Sequence, residues 1–184
     1  MESRKAEILH CDVFRYFGQY KIGLFKYLIM PRQVKYFILF RKYQTVSNKY
    51  LKCLYKIQAK LLGRKIQMDI PLETKIGRGI VMYHEGQVAI HPDATIGKNV
   101  TISPGLVVGH SPRGKTKGVP TIGDNVWLGQ NVAVVGKITV GKNVLIAPNS
   151  FVNVNIPDNS IVFGNPCVIK KSLNATDGYI KNKV

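Results

Sequence analysis

The stretch that decides the fold is TIGDNVWLGQNVAVVGKITVGKNVLIAPNSFV, residues 121–152, in which an aliphatic residue returns at every sixth position. The register extends back to residue 90, and its aliphatic positions are Ile90, Ile96, Ile102, Val108, Ile122, Leu128, Val134, Val140, Ile146 and Val152. A period of six fits neither the 3.6-residue period of a helix nor a simple hairpin meander. It is typical of a β-solenoid, in which each hexad supplies a short strand and a turn, and three hexads close one coil.

A second set of small or branched residues follows four positions after most members of the first. Its members are Ala94, Val100, Leu106, Val126, Val132, Ile138, Val144 and Ser150. We predict that both sets point inwards and fill the core. Glycine directly follows the aliphatic residue at Gly97, Gly109, Gly123, Gly129 and Gly141, and we expect these glycines to adopt positive φ in turns.

Two gaps of 14 residues interrupt the register, one from Ile76 to Ile90 and one from Val108 to Ile122. Fourteen is two hexads plus two residues, so we interpret each gap as a short excursion of the chain from the coil. Excursions from a repeat array are where function is commonly displayed. Each gap contains a histidine, His84 in the first and His110 in the second.

The N-terminal third differs from the rest in charge and pattern. Residues 1–65 hold 15 Lys and Arg against three acids, whereas residues 66–184 hold 12 against seven. Apolar spacing predicts two amphipathic helices on either side of Pro31 and a third from about Ser47 to Leu62. We therefore predict a basic, aromatic-rich helical region over residues 1–65, a solenoid over residues 66–171 and a C-terminal tail over residues 172–184.

Two interpretations of the N-terminal region stay open. Its aromatic residues can pack as a helical cap with the lysines solvated, since an exposed solenoid end needs covering. Alternatively, the mixture of aromatic and basic residues can lie on an anionic membrane surface or meet an acidic polymer. We expect the segment after Ile161 to cap the other end of the solenoid.

Several classes of protein are disfavoured by the composition. The apolar residues 22–40 are interrupted by Lys26, Arg32 and Lys35 and broken by Pro31, so we do not expect them to span a membrane. Three widely spaced cysteines form neither a disulfide framework nor a metal pattern. The net charge of +17 raises nucleic acid as a partner, but no recognised motif accompanies it. We expect a cytoplasmic protein without a metal or nucleic acid.

The segment MDIPLETKIGRGIVMYH, residues 68–84, resembles the catalytic segment of serine acetyltransferases, a branch of the hexapeptide-repeat acyltransferase superfamily. Residues 121–152 resemble the coenzyme-binding coils shared with sugar acetyltransferases, and FGNPCVIKK, residues 163–171, resembles their closing segment. The resemblance covers about residues 66–171. It implies a left-handed parallel β-helix, acetyl-CoA as co-substrate, and a homotrimer with active sites between subunits.

The resemblance also implies roles for three side chains. His84 matches the catalytic histidine, and a neutral imidazole is suited to take a proton from a hydroxyl at pH 7. Asp69 matches the aspartate that orients this ring, although an Asp also commonly caps a turn. His110 is a second catalytic candidate, because neighbouring sugar acetyltransferases carry their histidine in a comparable loop.

Four positions match coenzyme contacts of the superfamily: Gln130, Pro148, Asn153 and Lys171. Gln130 and Pro148 are expected to act through their backbone. Lys170 or Lys171 can meet the nucleotide phosphates, or can be solvated terminal lysines.

Three positions depart from the serine acetyltransferase branch. That branch has an acidic residue before the catalytic histidine and an Arg-His pair before the next proline, where this sequence has Tyr83, Gly118 and Val119. A charged amino acid needs paired charges, whereas Tyr83 suits the apolar face and hydroxyls of a sugar. We therefore prefer a sugar or polysaccharide precursor as acceptor, at the inner membrane face. The alternatives are serine O-acetylation and a non-catalytic solenoid that serves as an interaction module.

Overall fold

The structure of this chain is a computed structural model that describes residues 2–20, 23 and 28–184. The helix expected before Pro31 falls largely on residues 21, 22 and 24–27, which lie outside the described residues. Among the described helices, none has the length and apolar character needed to cross a membrane.

Three described helices precede the strands: α1 (Glu2–Phe17), α2 (Arg32–Thr45) and α3 (Lys49–Lys65). The third helix lies within three residues of its predicted bounds. It begins after Asn48, whose side-chain oxygen accepts hydrogen bonds from the backbone N–H groups of Tyr50 (2.9 Å) and Leu51 (3.2 Å). This side chain is an N-cap, which satisfies two N–H groups that have no partner within the helix.

Fifteen short strands lie between residues 68 and 171, as the hexad pattern predicts. They are β1 (Met68–Asp69), β2 (Lys75–Ile76), β3 (Val81–Met82), β4 (Val88–Ile90), β5 (Thr95–Ile96), β6 (Thr101–Ile102), β7 (Leu106–Gly109), β8 (Thr121–Ile122), β9 (Val126–Leu128), β10 (Ala133–Val135), β11 (Thr139–Val140), β12 (Val144–Ile146), β13 (Phe151–Val152), β14 (Ser160–Phe163) and β15 (Val168–Lys171).

The strands form three sheets, which are the three faces of a solenoid. The five-stranded face has the order β1-β4-β7-β10-β13, the four-stranded face β11-β8-β5-β2, and the six-stranded face β15-β14-β12-β9-β6-β3. Neighbouring strands are parallel throughout, except that β15 turns back antiparallel to β14 and covers the open edge of its sheet. Each coil therefore contributes one strand to each of the three faces before the chain begins the next coil.

The aliphatic columns form the core. All ten residues of the first register and all eight of the second are buried, as predicted. All of them except the polar Ser150 belong to one hydrophobic cluster that also contains the α2 residues Tyr36, Phe37, Phe40 and Tyr43, so the helices cover the first coil. The capping interpretation thus accounts for these aromatic residues of α2.

The two gaps differ from each other, and the prediction for the second was wrong. Ile90 pairs with Val108 and Ile96 with Ile122, so the step from Val108 to Ile122 replaces a single hexad of six residues. Ten residues, 110–119, occupy the place that residues 136 and 137 occupy in the next coil. The second excursion is therefore an extended loop, closed by a bridge between Ser111 and Gly118.

The turn chemistry also differs from the prediction. Positive φ falls on asparagines, which include Asn99, Asn125, Asn131, Asn143 and Asn149, and on other glycines, but not on the five glycines that follow the aliphatic register. Four of the five, all except Gly109, serve close packing instead. A Cβ on Gly97 would lie 2.6 Å from the backbone of Gly123 in the next coil, so only hydrogen fits there. Asparagine tolerates the left-handed region better than most residues, which accounts for its place in the turns.

A buried ion pair fixes α1 and α2 to the first coil. The Arg41 Nε donates to Asp12 Oδ2 at 2.7 Å, with both side chains almost fully buried. Asp12 Oδ1 accepts from the backbone N–H of Gly79 at 2.7 Å, and Arg41 Nη1 donates to the Ile76 carbonyl at 2.7 Å. Because both charges are paired and hydrogen-bonded, the pair specifies how the helices sit on the coil.

The C-terminal tail runs back along the solenoid. Thr176 donates to Asn143 at 2.7 Å, the Tyr179 ring lies 5.0 Å from that of Trp127, and the Val184 N–H donates to Asn99 at 2.9 Å. These three contacts fall on successive coils toward the N-terminal end. The tail therefore connects the last coils to the first, beyond the end-capping expected for it.

Candidate active site

The first excursion raises His84 out of the coil. Met82 pairs with Ile102 and Val88 with Leu106. The turn therefore has five residues here, 83–87, whereas the equivalent turn of the next coil has three, 103–105. The two additional residues leave the His84 side chain exposed. At the end of the turn, a Cβ on Gly86 would lie 2.8 Å from that of Pro104. The turn is thus packed closely at one end and open around the imidazole.

Helix α2 holds this turn on both sides of the histidine. Gln33 Nε2 donates to the Tyr83 carbonyl at 2.8 Å. Arg32 engages both carboxylate oxygens of Glu85, with Nε at 2.9 Å and Nη2 at 2.7 Å. Because Glu85 is paired with Arg32, its carboxylate is not a free base. Arg32 and Gln33 lie about 50 residues away in the chain, and sequence reasoning missed both.

Tyr83 is the first residue of the turn, and its side chain lies against α1. Its ring is 5.5 Å from that of Tyr16, and the residue is 38% exposed. It therefore presents part of a ring and a hydroxyl beside His84, which is where a substrate contact was predicted.

Asp69 lies on the same coil as His84, on β1, where it is level with Ala89 of β4. Its side chain is exposed at an open groove of about 830 Å³ between α3 and the first coil, which Lys60, Arg64 and Gln87 also line. Within the part of the chain that the structure describes, no hydrogen bond joins Asp69 to His84. The pairing of these two residues therefore stays a prediction.

Tyr36 lies behind Asp69. Its hydroxyl donates to the Ile70 carbonyl at 2.8 Å. Burial, and secondarily the nearby Asp69 carboxylate, raise the pKa of Tyr36 well above its usual range. Tyr36 is thus a neutral phenol that anchors α2 to the strand carrying Asp69.

Two of the predicted coenzyme contacts lie along the same edge of the solenoid as His84. Gln130 and Pro148 each lie two residues beyond a strand of the six-stranded face, as His84 does. The Asn131 N–H donates to the Pro104 carbonyl at 3.0 Å and the Asn149 N–H to that of Gln130 at 2.8 Å, so these turns stack directly. With coils about 4.8 Å apart, the edge from His84 to Pro148 is about 14 Å long.

The other predicted contacts lie elsewhere. Asn153 follows β13 and therefore lies across the five-stranded face, on the edge from which the 110–119 loop departs. Lys171 pairs with Ser160 and Lys170 with Ile161, at the end of β14 that is remote from the Pro148 turn. One chain thus brings Gln130 and Pro148, but not Asn153 or the two lysines, to the His84 edge.

His110 lies at the start of the extended loop, on the opposite edge of the five-stranded face from His84. Its ring stacks on that of His91, with centroids 5.7 Å apart and planes 28° apart. The His91 Nδ1 accepts from the backbone N–H of Asp93 at 3.2 Å, so in the neutral ring the proton resides on Nε2. Sequence reasoning did not single out His91. The only signal for this pair was that both histidines directly follow strands of one face.

Comparisons with known proteins agree with this architecture. Residues 120–154 match the family described as "Bacterial transferase hexapeptide (six repeats)". Serine acetyltransferase from Staphylococcus xylosus is 36% identical over 126 residues, which cover 64% of this chain and 58% of that protein. Serine acetyltransferase 4 of Arabidopsis thaliana is 34% identical over 121 residues, 61% of this chain and 34% of that protein. The chain thus spans between a third and three fifths of the length of these relatives.

Solved structures show the same fold. Serine acetyltransferase of Neisseria gonorrhoeae in complex with serine superposes with a TM-score of 0.69 at 22% identity, over 92% of this chain and 69% of that one. A serine acetyltransferase in complex with CoA gives a TM-score of 0.70 at 22% identity, over 91% and 70% of the two chains. The chain therefore has the left-handed parallel β-helix fold of these structures, its residues 120–154 match the hexapeptide family of bacterial transferases, and its sequence is similar to serine acetyltransferases.

Proposed function

We propose that this chain transfers the acetyl group of acetyl-CoA to a hydroxyl group, with His84 as the general base. The observation that carries the proposal is the two-residue insertion that exposes His84 at one end of the edge formed by the Gln130 and Pro148 turns. A coenzyme lying along this edge would bring its thioester to the imidazole. The serine acetyltransferases that the chain resembles, one of them solved with CoA, support the same chemistry.

The proposed reaction is a direct transfer. His84 accepts the hydroxyl proton while the hydroxyl oxygen attacks the thioester carbonyl, and a tetrahedral oxyanion forms. The carbon–sulfur bond then breaks, the thiolate of CoA leaves and takes the proton from the imidazolium, and the acetyl ester remains on the acceptor. Backbone N–H groups of the turns are the candidate donors to the oxyanion.

Asp69 is the proposed orienting carboxylate. A carboxylate that accepts from one ring nitrogen leaves the other as the base and stabilises the imidazolium. Asp69 is exposed on the same coil as His84, and among the residues that the structure describes no side-chain hydrogen bond of Asp69 has to be broken first. Catalytic hydrogen bonds commonly tighten only when substrate is bound. We therefore retain the pair as a proposal.

Serine is the first acceptor that we propose. The two sequence relatives described above are serine acetyltransferases, and one structural neighbour was solved with serine. These findings favour the alternative over the sugar acceptor that the sequence analysis preferred.

A sugar hydroxyl is the second candidate, and specific residues favour it. Tyr83 stands where the branch has an acid, and Gly118 and Val119 stand where it has Arg and His. The structure adds that Glu85, the other acid of the turn, is already paired with Arg32 and is not free to hold an ammonium group. A neutral acceptor needs no such charges.

A homotrimer with active sites between subunits is the proposed assembly. Within one chain, His84 and the 110–119 loop lie on opposite edges of the five-stranded face, about 13 Å apart along a four-residue strand. They can contribute to one site only if a neighbouring subunit supplies one of them. Asn153, Lys170 and Lys171 are kept as coenzyme contacts on the same condition.

Release of CoA thiol from acetyl-CoA, followed with a panel of hydroxyl acceptors, tests the function and the acceptor together. We expect L-serine to accelerate release, whereas L-alanine, which lacks the hydroxyl, should not. Release that responds to neutral hexoses and not to serine would establish the second candidate. If no hydroxyl compound accelerates release in a folded oligomer, the chain is a non-catalytic solenoid.

A further inference from the structure

Helix α3 presents an apolar stripe to solvent on the side opposite to its packing contacts. Its packed side consists of Ala59 and Gly63, which are buried, and of the half-buried Tyr55 and Leu62. The outer stripe has the spacing i, i+4, i+7 and i+11 of one helix face. Its members are Tyr50, Leu54, Ile57 and Leu61, which are 74%, 46%, 52% and 59% exposed.

The same helix carries six cations and no acid. The cations are Lys49, Lys52, Lys56, Lys60, Arg64 and Lys65. At about 100° per residue, Lys49, Lys56, Lys60 and Arg64 fall beside the stripe, on the flank that faces the groove along β1. Only Lys52 is turned toward the packed side, where its Nζ lies 4.9 Å from the centre of the Tyr43 ring. A continuous basic flank therefore borders the apolar stripe.

We propose that α3 docks the protein on an anionic membrane surface, with its axis in the plane of the surface. The four apolar side chains enter the headgroup boundary while the basic flank meets the lipid phosphates. A strong apolar face combined with a basic polar face is the signature of an interfacial helix. The 17 residues of α3 are about 26 Å long and rich in charge, which suits lying on a bilayer and not crossing it.

The charge of α3 favours an anionic membrane surface over a second copy of the chain as the partner of this face. Two copies of the α3 face would bring together twelve cations without one acid from either helix, which opposes self-association. An anionic lipid surface supplies the missing negative charge. Each Lys or Arg near such a surface adds to the favourable free energy of binding. The apolar stripe in turn distinguishes lipid from a purely ionic polymer, which would leave the stripe in water.

Flotation of the full chain with lipid vesicles tests the proposal without reference to catalysis. We expect binding to vesicles of phosphatidylcholine mixed with phosphatidylglycerol, and much weaker binding to phosphatidylcholine alone. The double variant Leu54→Ser/Leu61→Ser should lower the partition coefficient at least about tenfold. Lys60→Glu should lower it about fivefold or more on anionic vesicles, and added salt should have a similar effect.

The matched control is Leu173→Ser, which alters a leucine near the other end of the solenoid that is more exposed than Leu54 and Leu61. It should leave flotation unchanged, and thermal unfolding should show that all variants are folded. Equal flotation of the wild type and the double variant would overturn the proposal. So would a double variant that floats normally but forms a smaller oligomer in sedimentation, since the stripe would then be an interface between copies.

Discussion

Gly86 decides how the turn that carries His84 can be built. Its φ is 154°, and a methyl carbon added there would lie 2.8 Å from Pro104, so there is room for hydrogen only. The residue closes the five-residue turn onto the three-residue turn of the next coil. A change at Gly86 therefore acts on the position of His84, two residues away.

We predict that Gly86→Ala lowers the rate of acetyl transfer about tenfold or more, since displacement of a reacting group by 1 Å can cost up to about 100-fold. The free energy of unfolding should fall by about 1 kcal/mol or more from the clash. Steady-state kinetics and urea unfolding measure the two effects. Gly178→Ala is the control, because Gly178 also has positive φ but an added methyl group there meets nothing. Equal rates in the wild type and Gly86→Ala would show that the turn does not position His84.

At the scale of elements, helix α2 supports the turn that carries His84. Its first residues hold the turn through the Gln33 contact with the Tyr83 carbonyl and the Arg32 pair with Glu85. Its middle is fixed to the first coil by Arg41 and the ring of Tyr36. The turn thus inherits its position from a helix that is itself anchored in the core.

We predict that Arg32→Ala lowers kcat about tenfold and changes the KM for acetyl-CoA little, because it loosens the turn without touching the coenzyme edge. Arg32→Lys should restore part of the loss through one of the two hydrogen bonds. Lys142→Ala removes a longer surface ion pair away from the turn, Lys142 to Asp124 at 3.9 Å, and serves as the control for the loss of a surface cation. A loss of stability without any change in kcat would contradict this role for Arg32.

The repeat made most of the solenoid predictable. All 18 residues that the hexad register identified are buried, because burial of one aliphatic per turn leaves a direct periodic signal. Column residues outside the register, such as Met82 and Val162, were not identified. The length of the second excursion was not predictable in this way. Fourteen residues between Val108 and Ile122 fit two hexads plus two or one hexad plus eight, and only the pairing of Ile96 with Ile122 distinguishes them.

The candidate site was predictable only in part. Local motifs pointed to His84 and Asp69, but the residues that support them come from α2, whose contacts depend on how the helix lies on the coil. The helical spacing in α3 likewise predicted a helix without showing that its apolar stripe faces outwards. Periodicity reports that a face is apolar, and tertiary packing decides whether that face is covered.

At the scale of the whole molecule, the C-terminal tail ties the solenoid together. Besides its contacts with Asn143, Trp127 and Asn99, the tail accepts a hydrogen bond from the buried Arg15 of α1 at the Lys181 carbonyl. The first helix and the last residues therefore stabilise each other. Loss of the contacts of either segment with the solenoid should therefore weaken the packing of the other segment.

We predict that Tyr179→Ala shifts the fluorescence of Trp127, the only tryptophan of the chain, to longer wavelength, because the ring that covers the indole is lost. The free energy of unfolding should fall by about 1 kcal/mol, as expected for an aromatic pair. Tyr50→Ala removes an exposed tyrosine remote from the tail and should leave the emission unchanged. An unshifted spectrum in Tyr179→Ala would mean that the tail does not lie on the solenoid in solution.

The central claim is that His84 is the base of an acetyl transfer, and the most direct measurement is kcat for CoA release by His84→Ala and His110→Ala beside the wild type. Loss of a general base costs about 100- to 10,000-fold, so we predict that fall for His84→Ala, whereas His110→Ala stays within a few-fold of the wild type. Both side chains are exposed, so neither change should unfold the protein. A folded His84→Ala variant that releases CoA at the rate of the wild type would contradict the account.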